Sequence, residues 1–272
     1  MTAARRIFHI LHAASLPACA AAICILSLAA APLRAGDIPL NQRQSGYDTM
    51  GRDTRARQDD DTANPATLWL LDGEALWSKK EGAAGKACAD CHTDAATSMK
   101  GVAARYPAFN TKQNKPLDIE GRINNCRTEH QQAQPLPFEN KDLLALTAYV
   151  ARQSRGMAIA PPPENMQPVV DQGRAIFEKR QGQLNLSCAQ CHDDNWGRKL
   201  AGSAIPQGHP NGYPLYRLEW QSVGSLQRRL RNCLIGMRAE GYALGSPEYV
   251  ALEAFLMWRA RGMKMESPAV RP

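Results

Sequence analysis

Past its first 35 residues, this 272-residue chain has no apolar run long enough to cross a bilayer, so no helical membrane span is expected in the mature protein. Net charge is small. There are 33 Lys and Arg against 26 Asp and Glu, and three of the cations (Arg5, Arg6 and Arg34) lie in the leading segment. So slight an excess argues against nucleic acid as a partner. Strand-like alternation is scarce, which points away from a β architecture and toward an all-α fold. Aromatic residues make up only 6% of the chain, and they are expected in core packing rather than in a binding stripe.

The leading segment sets the compartment. Arg5 and Arg6 precede a mostly apolar stretch from Ile7 to Ala31, which ends in Leu33-Arg34-Ala35 before Gly36. This is the pattern of a secretory signal peptide over residues 1–35, cleaved after Ala35. An uncleaved anchor is the rival, but Pro17 and Pro32 interrupt the stretch and the small residues at its end favour cleavage. Leu16-Pro17-Ala18-Cys19 resembles a lipobox only loosely, because Cys19 precedes the most apolar part of the segment. The expected location is the periplasm, an oxidising compartment.

Of eight cysteines, Cys19 and Cys24 leave with the signal, and four lie in Cys88-Ala-Asp-Cys91-His92 and Cys188-Ala-Gln-Cys191-His192. Cysteines three apart can both add to the vinyl groups of a haem, and the histidine that follows then points at the iron. A redox CxxC or a zinc site would not need the histidine, nor two complete copies. The motifs predict two covalently bound haem c groups with His92 and His192 as proximal ligands.

The two motifs belong to a longer repeat. A shift of one hundred lays Gly73, Ala75, Lys79, Gly82 and the first motif on Gly173, Ala175, Lys179, Gly182 and the second. At a slightly larger shift Arg122, Asn125 and Cys126 meet Arg229, Asn232 and Cys233, and Ala145-Leu146 through Arg155-Gly156-Met157 meets Ala251-Leu252 through Arg261-Gly262-Met263. Apolar spacing predicts helices over 66–80, 139–154, 169–180 and 247–260. Helix, CxxCH, irregular middle and closing helix is the order of class I cytochromes c. The expected architecture is therefore two tandem all-α cytochrome domains, 65–160 and 161–272, joined at Pro161-Pro162-Pro163. Residues 36–64 are polar, with little to bury, and are expected to form an extended arm.

The distal ligands are the open question. Met99 has no counterpart in the second half, and Met157 and Met263 lie beyond the closing helices. His130 and His209 are unmatched. The strong-ligand residues matched in both halves are Cys126 and Cys233. In an oxidising compartment they could form a disulfide instead. Their equivalent places favour two His/thiolate sites, in which iron holds each thiol deprotonated. Thiolate ligation lowers a haem's potential, which suggests sulfur chemistry rather than simple relay. Arg228, Arg229, Arg231 and Arg238 stand around Cys233, and guanidinium forks suit the oxygens of an anionic substrate. Arg122, before Cys126, lacks such company and reads as a propionate or structural partner.

The stretch Arg231-Asn232-Cys233-Leu234-Ile235-Gly236-Met237-Arg238, with Cys126 and both CxxCH motifs, closely resembles the SoxA family of dihaem cytochromes over nearly the whole mature chain. That resemblance implies an L-cysteine S-thiosulfotransferase, which couples thiosulfate to a cysteine of a SoxYZ carrier and passes two electrons to a monohaem SoxX cytochrome. It further implies that Cys233 is both an iron ligand and the reactive cysteine (reported in the family as a persulfide), that Arg229 binds substrate, and that Cys126 ligates the first haem. A thiosulfate dehydrogenase making tetrathionate and a plain dihaem electron carrier are the rival functions.

Overall fold

A computed structural model of the chain describes residues 37–272; the expected signal peptide, 1–35, lies outside the described residues. Helices are α1 (Arg52–Asp59), α2 (Thr67–Ser78), α3 (Ala89–His92), α4 (Ala95–Ser98), α5 (Ile119–Cys126), α6 (Lys141–Arg152), α7 (Gln167–Glu178), α8 (Cys188–His192), α9 (Leu226–Gly236) and α10 (Pro247–Arg259). A π turn, Arg127–Gln131, continues α5.

The four long helices follow the predicted spans within two or three residues, and their starts carry the expected chemistry. Asn140 caps α6 by accepting from the Asp142 amide at 2.9 Å. Ser246 caps α10, with Pro247 in the first turn. Within each half the first and last long helices cross, α2 on α6 and α7 on α10. The matched glycines of the repeat permit both crossings. A Cβ on Gly73 would run into the Ala145 carbonyl, and one on Gly173 into that of Ala251. Phe177, Tyr249, Leu252 and Phe255 fill the core between α7 and α10, while Trp77 and Val150 do so between α2 and α6.

The all-α expectation omitted seven short strands among the described residues. These are β1 (Ala108–Asn110), β2 (Lys115–Leu117), β3 (Lys199–Leu200), β4 (Ser203–Ala204), β5 (Leu215–Arg217), β6 (Ser222–Gly224) and β7 (Ala269–Arg271), grouped as β1-β2, β3-β4 and β6-β5-β7. At two or three residues each, they are too short to show alternation in a sequence. They brace the irregular middle segments. In the three-stranded sheet β7 returns from the C-terminus to run parallel to β5, with Leu215 opposite Ala269.

Residues 37–64 are not a simple extended arm. They contain α1, which packs on β7. The contact is polar, which is why hydrophobicity gave no sign of it: Gln58 is 3% exposed and its Oε1 accepts the Val270 amide at 3.1 Å. The two halves also pack against each other. Gln227 Nε2 donates to Asp118 Oδ2 at 2.6 Å, and the Gly156 amide donates to the Met265 carbonyl at 2.8 Å.

Candidate haem centres

In the first half, α2 runs into a turn that delivers Cys88 at the N-cap of α3 and Cys91 and His92 on it. Asp90 stabilises the approach by accepting the Ala87 amide at 2.8 Å. Trp77 packs beside His92 (ring centroids 5.8 Å apart) and donates its indole proton to the Thr93 carbonyl at 2.9 Å. A cavity of 610 Å³ opens here, lined by Cys88, Cys91, His92, Arg122, Cys126 and His130 among others. The fold thus gathers the motif and Cys126, distant in sequence, around one space.

In the second half a reciprocal cap starts α8. The Ser187 hydroxyl accepts the Gln190 amide at 3.3 Å, and the Gln190 side chain accepts the Ser187 amide at 2.9 Å. His192 donates from Nδ1 to the Pro206 carbonyl at 2.7 Å. This fixes the tautomer with the proton on Nδ1 and leaves Nε2 as the electron-pair donor, the usual preparation of a metal-binding histidine. A narrower cleft of 110 Å³ is lined by Cys188, His192, Tyr213, Arg229, Cys233 and Met237 among others.

The donor chemistry fits a covalently held haem: Cys88, Cys91, His92 and a third sulfur, Cys126, line the first cavity, and Cys188, His192 and Cys233 line the second, with Cys191 near enough to Cys233 to feel its charge. All six described cysteines are free, and Cys126 and Cys233 line separate cavities, so neither is spent in a disulfide. Burial pushes the Cys126 thiol up against the opposing pull of Arg122, and pushes Cys188 up to about 12. Thiols so placed stay protonated unless a metal or a bond to carbon claims the sulfur.

The arginine cluster divides on the helix. Arg229 stands one turn before Cys233, so both face the same cleft. Arg228, turned about 100° away, stacks on Trp220 at 4.4 Å and pairs with Glu139 at 3.8 Å. Arg231 and Arg238 are exposed and do not line the cleft. Arg122 lines the first cavity but is tied down, its Nε donating to the Tyr106 hydroxyl at 3.2 Å.

Three lining residues were given no role by the sequence: Tyr213 was passed over, and His209 and His130 were set aside as unmatched. His209 and Tyr213 line the second cleft; burial lowers His209 to about 4 and raises Tyr213 to about 12. Tyr213 answers to Tyr106 at the offset of 107 that relates Arg122 to Arg229, each before a cis proline, so the repeat did carry a signal for it; His209 has no counterpart. His130 lines the first cavity.

Comparison with known proteins decides the family. The SoxA/TsdA cytochrome c domain matches twice, over residues 72–159 and 172–265. The chain belongs to the SoxA/TsdA cytochrome c family. As a cytochrome c of this family it carries covalently bound haem c. It is similar to the L-cysteine S-thiosulfotransferase subunit SoxA of Pseudaminobacter salicylatoxidans, 38% identical over 86% of this chain and 82% of that protein. The subunit of the same name from Rhodovulum sulfidophilum is 36% identical over 84% and 80%. Among solved structures, the crystal structure of SoxXA from P. pantotrophus superposes with a TM-score of 0.81 at 32% identity, covering 85% of this chain and 87% of that one. The SoxA/TsdA matches begin and end close to the helix pairs α2/α6 and α7/α10, so the family repeat and the structural one coincide. Among the described residues, no helix is long and apolar enough to cross a membrane.

Proposed function

We propose that this chain is an L-cysteine S-thiosulfotransferase subunit that works in the periplasm after signal cleavage. His92 and Cys126 would hold one haem and His192 and Cys233 a second, and the protein joins thiosulfate to a cysteine of a carrier protein. The carrier thiol and thiosulfate form one S–S bond, releasing one proton and two electrons: R–SH + S₂O₃²⁻ → R–S–S–SO₃⁻ + H⁺ + 2e⁻. A haem held there would supply one-electron relay chemistry. The likeness to SoxXA supports a SoxX partner, and a monohaem cytochrome in that place would take the electrons onward.

One observation carries the choice of half. Helix α9 aims Arg229 and Cys233 into one cleft, whereas the matching Arg122 is engaged by Tyr106. Arg229 holds the sulfonate oxygens by paired N–H donors and turns the outer sulfur toward Cys233. Tyr213 and the apolar walls limit water around the reacting sulfurs.

The test is carrier-dependent consumption of thiosulfate by the holoprotein with its partner cytochrome. Cys233→Ala abolishes coupling. Arg229→Ala removes a charge-assisted contact of about 2–3 kcal/mol, a loss of roughly 30- to 150-fold in kcat/KM, and Arg122→Ala stays within a few-fold. Consumption without the carrier, yielding tetrathionate, would favour the dehydrogenase instead. Loss centred on Arg122 would place the site in the wrong half.

A further inference from the structure

The helix bearing Cys126 differs from its repeat by one residue. Gln132 and Arg238 are the left-handed residues that end the two turns, at φ of 55° and 54°. Their equivalence follows from the loops they face: the Ala83 amide bonds the Gln132 carbonyl, and the Gln183 amide bonds that of Arg238. Gln132 stands six residues after Cys126, and Arg238 stands five after Cys233. The first half takes up the additional residue as the π turn Arg127–Gln131, while α9 stays α-helical to Gly236. A single residue inserted into a helix takes this form, and π turns recur at functional positions.

The insertion changes what faces the first cavity. Gln131 turns inward and donates to the Lys86 carbonyl at 2.9 Å. His130 beside it joins His92 and Cys126 in lining the cavity, on the same side of the helix as Cys126 and one turn on. Its imidazole is exposed at the mouth, so no burial holds it fixed. Two imidazoles and a thiol therefore share one cavity.

We propose that His130 is a reserve distal ligand of the first haem, taking the iron position when the Cys126 sulfur leaves it. The inference rests on the reading of Cys126 as the resident ligand. An imidazole is neutral where a thiolate is anionic, so the exchange raises the potential of the first haem and keeps the iron six-coordinate. The first haem would then have two settings, one of them closer to that of an ordinary relay.

The test is low-temperature electron paramagnetic resonance and visible spectroscopy on the full-length oxidised holoprotein. The thioether bonds of Cys88 and Cys91 keep the haem attached in every variant. The wild type is expected to show thiolate ligation at the first haem. Cys126→Ala replaces that signal by a low-spin bis-imidazole one, and Cys126→Ser repeats the result with nearly native volume. Cys126→Ala combined with His130→Ala gives a high-spin first haem. This double variant binds added imidazole at least about tenfold more tightly than Cys126→Ala, because a reserve ligand in place nine-tenths of the time lowers apparent affinity that much. A high-spin first haem in both Cys126→Ala and Cys126→Ser would overturn the proposal and leave the Cys126 reading intact. A low-spin signal that survives in the double variant would overturn it in favour of Met99. A wild-type bis-imidazole signal unaffected by Cys126→Ala would sink the Cys126 reading, and the reserve role with it, since His130 would then be the resident ligand.

Discussion

Arg229 and Arg122 occupy the same place, one turn before a cysteine, and their surroundings separate them. Tyr106 engages Arg122, while Arg229 shares its cleft with Tyr213, whose buried hydroxyl feels the arginine's charge. If Arg229 grips the sulfonate by its planar fork, a point charge of the same sign is a poor substitute. Arg229→Lys should therefore recover only part of the kcat/KM lost in Arg229→Ala; full recovery would show that charge alone suffices. The matched cysteines were legible because both sit inside a repeat that carries their neighbours with them. The direction of each arginine was not. Arg228, Arg229, Arg231 and Arg238 look alike as a string, and only the helix turn and the Trp220 and Glu139 contacts divide them. His130 left a faint trace: the repeat offset falls from 107 at Cys126/Cys233 to 106 at the closing helices, which marks one additional residue in between.

Among the elements, the long helices were legible from apolar spacing and caps, and the glycines matched across the repeat had a reason the sequence could not supply. Gly173 lies where α7 meets the backbone of α10, so a methyl group there must displace Ala251 or Phe255. Gly173→Ala should cost about 1–3 kcal/mol through overpacking, lowering the thermal midpoint by several degrees. Gly236, at the end of α9, has open space around the same position; Gly236→Ala should be neutral or stabilising by about 0.5–1 kcal/mol. Equal midpoints for Gly173→Ala and wild type would mean that the crossing is looser than described. The short strands and α1 escaped the sequence reading for a common reason. Their stabilising contacts are backbone hydrogen bonds and the buried amide of Gln58, which leave no apolar period.

At the scale of the whole molecule, the halves meet over a buried acidic group that composition could not reveal. Asp118 and Glu120 open α5, Glu253 faces them from α10, and Glu139 approaches from the turn before α6. Gln227 of α9 bonds Asp118, and Arg228 pairs with Glu139. Burial raises Asp118 to about 6 and Glu120 to about 8, helped in the second case by the charge of Asp118. Burial likewise holds Glu253 well above the usual carboxylate range. The folded protein thus keeps protons that the unfolded chain releases at about pH 4. The stability contributed by this group is complete below that pH and is lost as pH rises through about 6 to 8. Thermal midpoints should fall from about pH 5 to about pH 8, and Glu120→Gln should flatten the fall. An equal slope in the variant would remove the acidic group from the account.

The proposed chemistry needs two haems, one held by His92 and Cys126 and the other by His192 and Cys233. Electron paramagnetic resonance of the oxidised wild-type protein tests it most directly. Two low-spin thiolate-ligated signals of equal weight are expected, with no methionine-to-iron band at the red end of the visible spectrum. A single haem signal, or that methionine band, would contradict it.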